Sequence, residues 1–205
     1  QKGLLILTGG PGTGKTTTVK GIIAMMKNRG LRVALAAPTG RAAQRMTELT
    51  GSEAKTIHRL LETERRDGEP EPTFVHNLRN PLDLDAVIVD ELSMVDVLLF
   101  SALLDALPLH CRLILVGDVD QLPSVGPGNV LRDLVNSDVI PVIRLNEIFR
   151  QAGHSRIVTN AHLINRGEMP VLDNIDEEND FLFYECPTAD IALSSVLNLC
   201  GDYAY

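Results

Sequence analysis

The feature that most constrains this chain is a glycine-rich segment directly after a short apolar run. The apolar residues 4–7 lead into GGPGTGKTTT at residues 9–18. The spacing of glycine, four residues, glycine, lysine and threonine, between a strand and a helix, is typical of a loop that wraps around phosphate groups. Its glycines let backbone amides turn inward, and the following helix directs its positive dipole end to the same point. The segment therefore predicts a nucleoside triphosphate site.

The residues of this loop have separate predicted tasks. Lys15 is expected to lie against the β- and γ-phosphates of ATP, and the Thr16 hydroxyl to bind Mg²⁺. The alternative, a glycine-rich turn without a ligand, does not explain why strand, loop, Lys-Thr pair and helix occur in register. The predicted nucleotide-binding residues are Gly10, Pro11, Gly12, Thr13, Gly14, Lys15, Thr16 and Thr17.

Apolar runs alternate with amphipathic segments over most of the chain. Strands are predicted at residues 4–8, 33–37, 86–90, 113–117 and 139–145. Helices are predicted at residues 14–28, 40–49, 95–107, 129–135 and 155–165, and a surface loop at 67–81. Nearly continuous apolar strands between helices indicate an α/β fold whose parallel sheet has helices on both faces and binds ligands at the carboxyl ends of its strands.

Charge is distributed unevenly along the 205 residues. The net charge of −8 divides into +8 over residues 1–66 and −16 over residues 67–205. The basic part indicates either a local anion-binding surface or solvated helix faces. Residues 167–205 contain no Lys or Arg and nine acidic residues, so we predict one domain at 1–166 and an acidic segment at 167–205 that leads into another domain.

Two further expectations concern location and extent. No apolar run approaches the length of a membrane span, about 18 residues, and the start shows no signal-peptide pattern, so we expect a cytoplasmic chain with no membrane partner. The first strand begins within three residues of Gln1, so we also expect the chain to be part of a longer protein.

Polar residues follow two of the predicted buried strands. Asp90 and Glu91 end the run AVIVDE, where adjacent carboxylates are costly unless they serve a cation or a reacting water. Strand alternation allows Asp90 to hold Mg²⁺ while Glu91 orients and deprotonates water. Gln121 follows the run LILVGDVDQ and can contact a γ-phosphate, although a plain turn glutamine explains its position equally well.

Six ordered motifs decide between these alternatives by resemblance. They are GGPGTGKTTT, APTGRAA, TIHRLL, VIVDELSMVD, LVGDVDQLPSVGPG and LNEIFRQ. In order and spacing they resemble the first motor domain of superfamily 1 DNA helicases, in particular the RecD/TraA group, over residues 3 to about 170. The resemblance implies a RecA-like nucleoside triphosphatase that moves 5′ to 3′ on single-stranded DNA, alone or with other subunits of a recombination or repair complex.

The resemblance also implies individual roles. Lys15, Asp90, Glu91 and Gln121 match the catalytic residues, with Thr16 and Asp90 as Mg²⁺ ligands, and Arg150 matches an arginine that contacts the γ-phosphate. The motifs matched to the DNA strand contain Pro38, Thr39, Gly40, Arg41, Thr56 and His58. Arg45 lies one helical turn from Arg41, on the same predicted face.

Two other classes of protein remain as alternatives. A small-molecule kinase or regulatory ATPase would also need the phosphate loop, but the chain shows no lid or acceptor site. A DNA-binding module with a vestigial nucleotide site would not need the intact set Lys15, Thr16, Asp90 and Glu91. DNA-stimulated ATP hydrolysis distinguishes the helicase from both.

Arg150 yields a prediction for the full-length protein. A guanidinium at the γ-phosphate stabilises charge that develops in the transition state, and comparable arginines contribute about 10³- to 10⁵-fold in rate. Arg150→Ala should therefore depress single-turnover hydrolysis severely while changing ATP affinity far less. Lys should not rescue it, because a point charge does not reproduce the planar fork. Near-normal turnover of the Ala variant would make Arg150 a structural residue.

Overall fold

The chain folds into two compact units, Gln1–Ala152 and Gly153–Tyr205. The computed structural model describes residues 3–64, 73–147, 155–173 and 180–202. Within these ranges, no helix combines the length and apolar character that a membrane crossing requires. The first unit contains the glycine-rich loop and most of the other sequence motifs.

A six-stranded sheet forms the centre of the first unit, and each strand is parallel to its neighbours. A separate antiparallel hairpin pairs β4 with β5. The order across the large sheet is β3-β2-β6-β7-β1-β8. The strands are β1 (Leu4–Gly9), β2 (Val33–Ala37), β3 (Ala54–Thr56), β4 (Thr63–Glu64), β5 (Thr73–Phe74), β6 (Ala86–Val89), β7 (Arg112–Gly117) and β8 (Val142–Leu145).

Helices cover both faces of this sheet. Strand alternation sends Ile6 to one core cluster and Leu7 to another. The Leu7 cluster includes residues of α1 and α2, and the Ile6 cluster includes residues of α3, α4 and α5. The predicted α/β fold with helices on both faces is therefore confirmed. The helices of the first unit are α1 (Lys15–Asn28), α2 (Gly40–Thr50), α3 (Ile57–Leu61), α4 (Val97–Ala106) and α5 (Val130–Asn136).

Local chemistry explains where the observed elements differ from the predicted ones. Helix α4 begins at Val97 because the Asp96 side chain accepts the amide of Leu99 at 2.8 Å and so forms its N-cap. Strand β8 begins only at Val142, since Pro141 has no amide hydrogen and Asp138 has a φ of 54°. Strand β3 and helix α3 were missed because they have three and five residues, too few for a clear periodicity.

The hairpin corrects part of the predicted surface loop. Thr73 and Phe74 pair with Glu64 and Thr63, so residues 73 and 74 form a strand where a loop was predicted. Asn77 then stabilises the following turn by donating to the carbonyls of Phe74 and Val75. Long-range pairing of this kind has no signature in the local sequence.

The second unit contains α6 (Arg156–Asn165) and α7 (Ala189–Asp202). Composition predicts a boundary near residue 167, whereas backbone contacts divide the chain after Ala152. Helix α6 belongs with the residues after it because the buried Asn160 side chain both donates to and accepts from the backbone of Val171, at 3.0 and 2.8 Å. The domain boundaries of the full protein stay a prediction.

The packing of α4 leads to a stability prediction. Leu103 is fully buried in the cluster that contains Ile6, whereas Leu98, on the same helix, is 68% exposed. Leu103→Ala should lower the free energy of unfolding by about 2–5 kcal/mol, because it removes buried methyl groups and leaves a cavity. Leu98→Ala should change it by less than about 0.5 kcal/mol. Urea unfolding of both variants measures the difference, and equal losses would contradict the packing described here.

Candidate nucleotide-binding site

The glycine-rich loop runs from the end of β1 to the start of α1, as predicted. Gly14 precedes the helix with φ 85°, a left-handed conformation that suits glycine. At Gly9, a side-chain Cβ would lie 2.6 Å from the carbonyl oxygen of Leu145, so no larger residue fits. The Thr13 hydroxyl donates to the carbonyl of Gly10 at 2.8 Å. The loop is thereby held in shape by its own contacts.

Lys15 lies folded over this loop. Its Nζ donates to the Gly10 carbonyl at 2.9 Å and also to the carbonyl of Gly9. The two carbonyls accept hydrogen bonds from the Lys15 ammonium group, and a phosphate oxygen could accept the same bonds instead. A phosphate that enters the loop therefore competes with these carbonyls for the ammonium group of Lys15.

Asp90 and Glu91 follow β6 at the carboxyl edge of the same sheet. The backbone amide of Glu91 donates to Asp90 Oδ1 at 2.9 Å, which orients the Asp90 carboxylate. Glu91 itself has φ 53° and ψ 42°, a left-handed conformation that is uncommon for a residue with a side chain. The turn Leu92–Met94 follows it directly. The acidic pair therefore lies in a turn after β6 and does not continue the strand.

Burial raises the pKa values of these two carboxyl groups, whereas nearby positive charges lower them. Burial is the main reason why the pKa of each lies above its ordinary value, and the charge of Asp90 raises the pKa of Glu91 further. The positive charges of Lys15 and Arg45 lower both pKa values. Glu91 is therefore a better proton acceptor than a solvated glutamate, provided that it is ionised.

Gln121 reaches the same site from the loop after β7. Its Oε1 accepts a hydrogen bond from the Ser93 hydroxyl at 3.1 Å, and Ser93 is itself buried. This bond joins the loop after β7 to the turn that follows Glu91. Ser93 was not predicted as a site residue, because no local pattern indicates a contact between residues that are 28 positions apart.

A single cavity of about 780 Å³ connects these groups. Its lining contains all eight predicted nucleotide-binding residues, together with Asp90, Glu91 and Gln121. The sequence missed the contribution of α1 and α2, since the cavity also borders Val19, Ala42, Arg45, Met46, Leu49 and Thr50. The structure thus brings together every predicted catalytic residue except Arg150, which lies outside the described residues. Their chemical roles stay predictions.

The cavity also has suitable oxygen groups for Mg²⁺. Thr16 and Asp90 both line it, and hydroxyl and carboxylate oxygens are ligands that Mg²⁺ accepts. No group of three or more His, Cys, Asp or Glu side chains is placed to hold a metal ion anywhere in the part of the chain that the structure describes. A site with few protein ligands suits Mg²⁺, which usually retains waters and binds substrate phosphates.

The residues predicted to bind DNA lie at the carboxyl ends of two neighbouring β-strands, β2 and β3. Ala37 of β2 pairs in register with Thr56 of β3, so the segment that follows β2 and the junction of β3 with α3 lie at the same edge of the sheet. Thr39 accepts the amide of Ala42 at 3.2 Å, and Thr56 accepts the amide of Arg59 at 3.1 Å. Both threonines are therefore helix N-caps.

The capping bonds do not use all the hydrogen-bonding capacity of the Thr39 and Thr56 hydroxyls. A capping hydroxyl accepts one bond and still has its own hydrogen to donate, so Thr39 and Thr56 can each reach a phosphate oxygen. Pro38 is partly buried, while Gly40 and Arg41 are exposed beside Thr39. His58 is exposed but tilts against Phe74, with 5.8 Å between ring centres. Binding of a strand here stays a prediction.

Comparison with known proteins identifies the family. The AAA domain family matches residues 1–127. An ATP-dependent RecD2 DNA helicase of Deinococcus radiodurans is 45% identical over 167 residues, which are 82% of this chain and 22% of that protein. The RecBCD enzyme subunit RecD of Mycolicibacterium smegmatis is 43% identical over 162 residues, covering 66% of this chain and 28% of that protein. The chain thus spans about a quarter of the length of these relatives.

A solved structure agrees on the fold. The crystal structure of the Pif1 helicase from Candida albicans matches with a TM-score of 0.55 and 25% identity, over 81% of this chain and 41% of that one. Since the family match covers more than half of the residues, the chain belongs to the AAA domain family, and it is similar in sequence to RecD proteins over most of its length.

Proposed function

We propose that this chain is the ATP-binding motor domain of an ATP-dependent DNA helicase. The observation that carries the proposal is the convergence of Lys15, Thr16, Asp90, Glu91 and Gln121 on one cavity. The similarity to proteins named RecD2 DNA helicase and RecD supports the choice of DNA as the track. We further propose 5′ to 3′ movement on single-stranded DNA, a cytoplasmic location, and a role in recombination or repair, alone or with other subunits.

Phosphate binding begins at the loop. The amides of the loop and the amino-terminal end of α1 attract the phosphate chain, since both present positive charge to it. Lys15 exchanges its bonds to the Gly9 and Gly10 carbonyls for bonds to phosphate oxygens. This exchange retains hydrogen bonding while it places a full charge opposite the β- and γ-phosphates.

Thr16 and Asp90 are the residues that would hold Mg²⁺. When bound, the ion neutralises phosphate charge. Burial raises the pKa of Asp90 and so makes its carboxylate costly, and a bound cation would stabilise that ionised form. The bond from the Glu91 amide fixes the orientation of its carboxylate before any ligand arrives.

Glu91 is proposed to accept the proton of the attacking water. Its left-handed backbone departs from the extended conformation of β6, and we assign the two carboxylates different partners. Gln121 is neutral and has both donor and acceptor atoms, so it can exchange its bond with Ser93 for a bond to the γ-phosphate. Arg150 stays the proposed arginine at that phosphate.

The division of labour between the two acidic residues is testable in the full-length protein. Glu91→Gln should bind ATP and DNA almost normally but hydrolyse ATP about a hundredfold or more slowly, because it removes a proton acceptor. Asp90→Asn should also weaken Mg²⁺-dependent nucleotide binding. Asp133→Asn, an exposed position of α5 outside the cavity, serves as the control. Loss of nucleotide binding in both site variants would refute separate roles.

The helicase proposal makes a second prediction, about DNA. Single-stranded DNA should stimulate ATP hydrolysis by the full-length protein, whereas a kinase or a vestigial site would show no such stimulation. Arg41→Ala should weaken binding to all sequences and flatten the dependence of affinity on salt by about one charge, since it removes one phosphate contact. Arg29→Ala, at the far end of α1, is the matched control. An unchanged salt slope for Arg41→Ala would count against this DNA path.

A further inference from the structure

Helix α2 places a positive charge in the nucleotide cavity that the proposed mechanism does not use. The helix contributes part of the cavity lining, and among the residues that the structure describes Arg45 is the one charged residue that α2 contributes to it. Lys15 approaches the same space from the loop. Among the described residues that line the cavity, these two cations face two carboxylates, Asp90 and Glu91.

Arg45 has no hydrogen bond or ion pair within the described ranges. The acidic neighbour on its own helix, Glu48, accepts the side-chain amide of Gln44 at 3.0 Å instead. Arg45 is exposed, so its guanidinium can move without breaking a packed contact. A charged side chain in this state is available to a ligand.

The surroundings of Arg45 indicate which part of a nucleotide it can reach. Arg45 lines the same cavity as Asp90 and Glu91, and its charge is opposite to theirs. These carboxylates lie at the end of the cavity that the proposed mechanism assigns to the metal ion and the attacking water. The glycine-rich loop lines the same cavity, and its amides are proposed to bind the rest of the phosphate chain.

We propose that Arg45 binds the terminal phosphate of the bound nucleoside triphosphate from the α2 side of the cavity. This inference rests on the proposed function, because it requires that the cavity takes ATP with its γ-phosphate toward Glu91. Two parallel N–H groups of a guanidinium match two phosphate oxygens, which the single ammonium of Lys15 cannot do. Arg45 then distinguishes a triphosphate from a diphosphate within this one domain, independently of Arg150.

The test compares two nucleotides that differ at the terminal phosphate. In the full-length protein with Mg²⁺, the affinities of ATPγS and ADP are measured by calorimetry for the unsubstituted protein and for Arg45→Gln. The variant should bind ATPγS about tenfold or more weakly, because a charge-assisted hydrogen bond is lost, while ADP affinity should change by less than about twofold. Arg29→Gln removes the same charge outside the cavity and should change neither affinity.

Either of two results would overturn the proposal. Equal losses for ATPγS and ADP would place Arg45 at the other phosphates or reduce it to a general charge effect, and unchanged ATPγS affinity would exclude the contact. DNA-stimulated hydrolysis by the unsubstituted protein is measured in parallel. Its absence would count against the helicase function, whereas the comparison of the two nucleotides would still decide the role of Arg45.

Discussion

Parallel pairing among β6, β7 and β1 is the constraint on which the site depends. In a parallel sheet the carboxyl ends of all strands lie at one edge. The pairing places Leu7 beside Val116 and Val89 beside Leu115, so the three strands end almost level. The phosphate-binding loop, the acidic pair and the segment that carries Gln121 all emerge from that edge. Segments about 80 and 110 residues from the loop in sequence thereby line one cavity.

The packing of the buried strands also offsets the energetic cost of three unfavourable features at this edge. Glu91 has a left-handed backbone, which typically costs about 1–3 kcal/mol for such a residue. Asp118 is buried, and within the described residues the buried Thr8 hydroxyl has no hydrogen-bond partner. All three lie at the carboxyl ends of strands whose other residues pack in the two apolar clusters. Strain and buried polar groups therefore occur where ligand chemistry is proposed.

Helix α2 is the element that adjoins both proposed ligands. Its N-cap, Thr39, belongs to the loop proposed to contact DNA, and its second turn carries Arg45 into the nucleotide cavity. Ala43, which lies between these positions, is buried, and Met46, next to Arg45, packs in the core cluster that contains Leu7. A helix is stiff over two turns, so a displacement at one of these positions moves the other. The two proposed contacts are therefore carried by one helix and its N-cap.

The sequence by itself determined the principal helices and strands of the first unit and the identity of the phosphate-binding loop. Those features depend on local patterns: apolar periodicity, glycines before Lys15 and Thr16, and acidic residues after a buried strand. The same patterns predicted that the strands are parallel, because helices separate them. The resemblance in motif order supplied the link to RecD-like proteins.

Only the tertiary structure decided which residues meet. Arg45 faces the nucleotide cavity, Ser93 holds Gln121, and β5 returns to pair with β4. It also divided the chain after Ala152, because Asn160 binds the backbone of Val171. Each of these contacts joins residues that are separated in the sequence by much more than one helical turn. Local propensity cannot encode them, since they arise only when packed elements bring distant side chains within hydrogen-bonding or van der Waals distance.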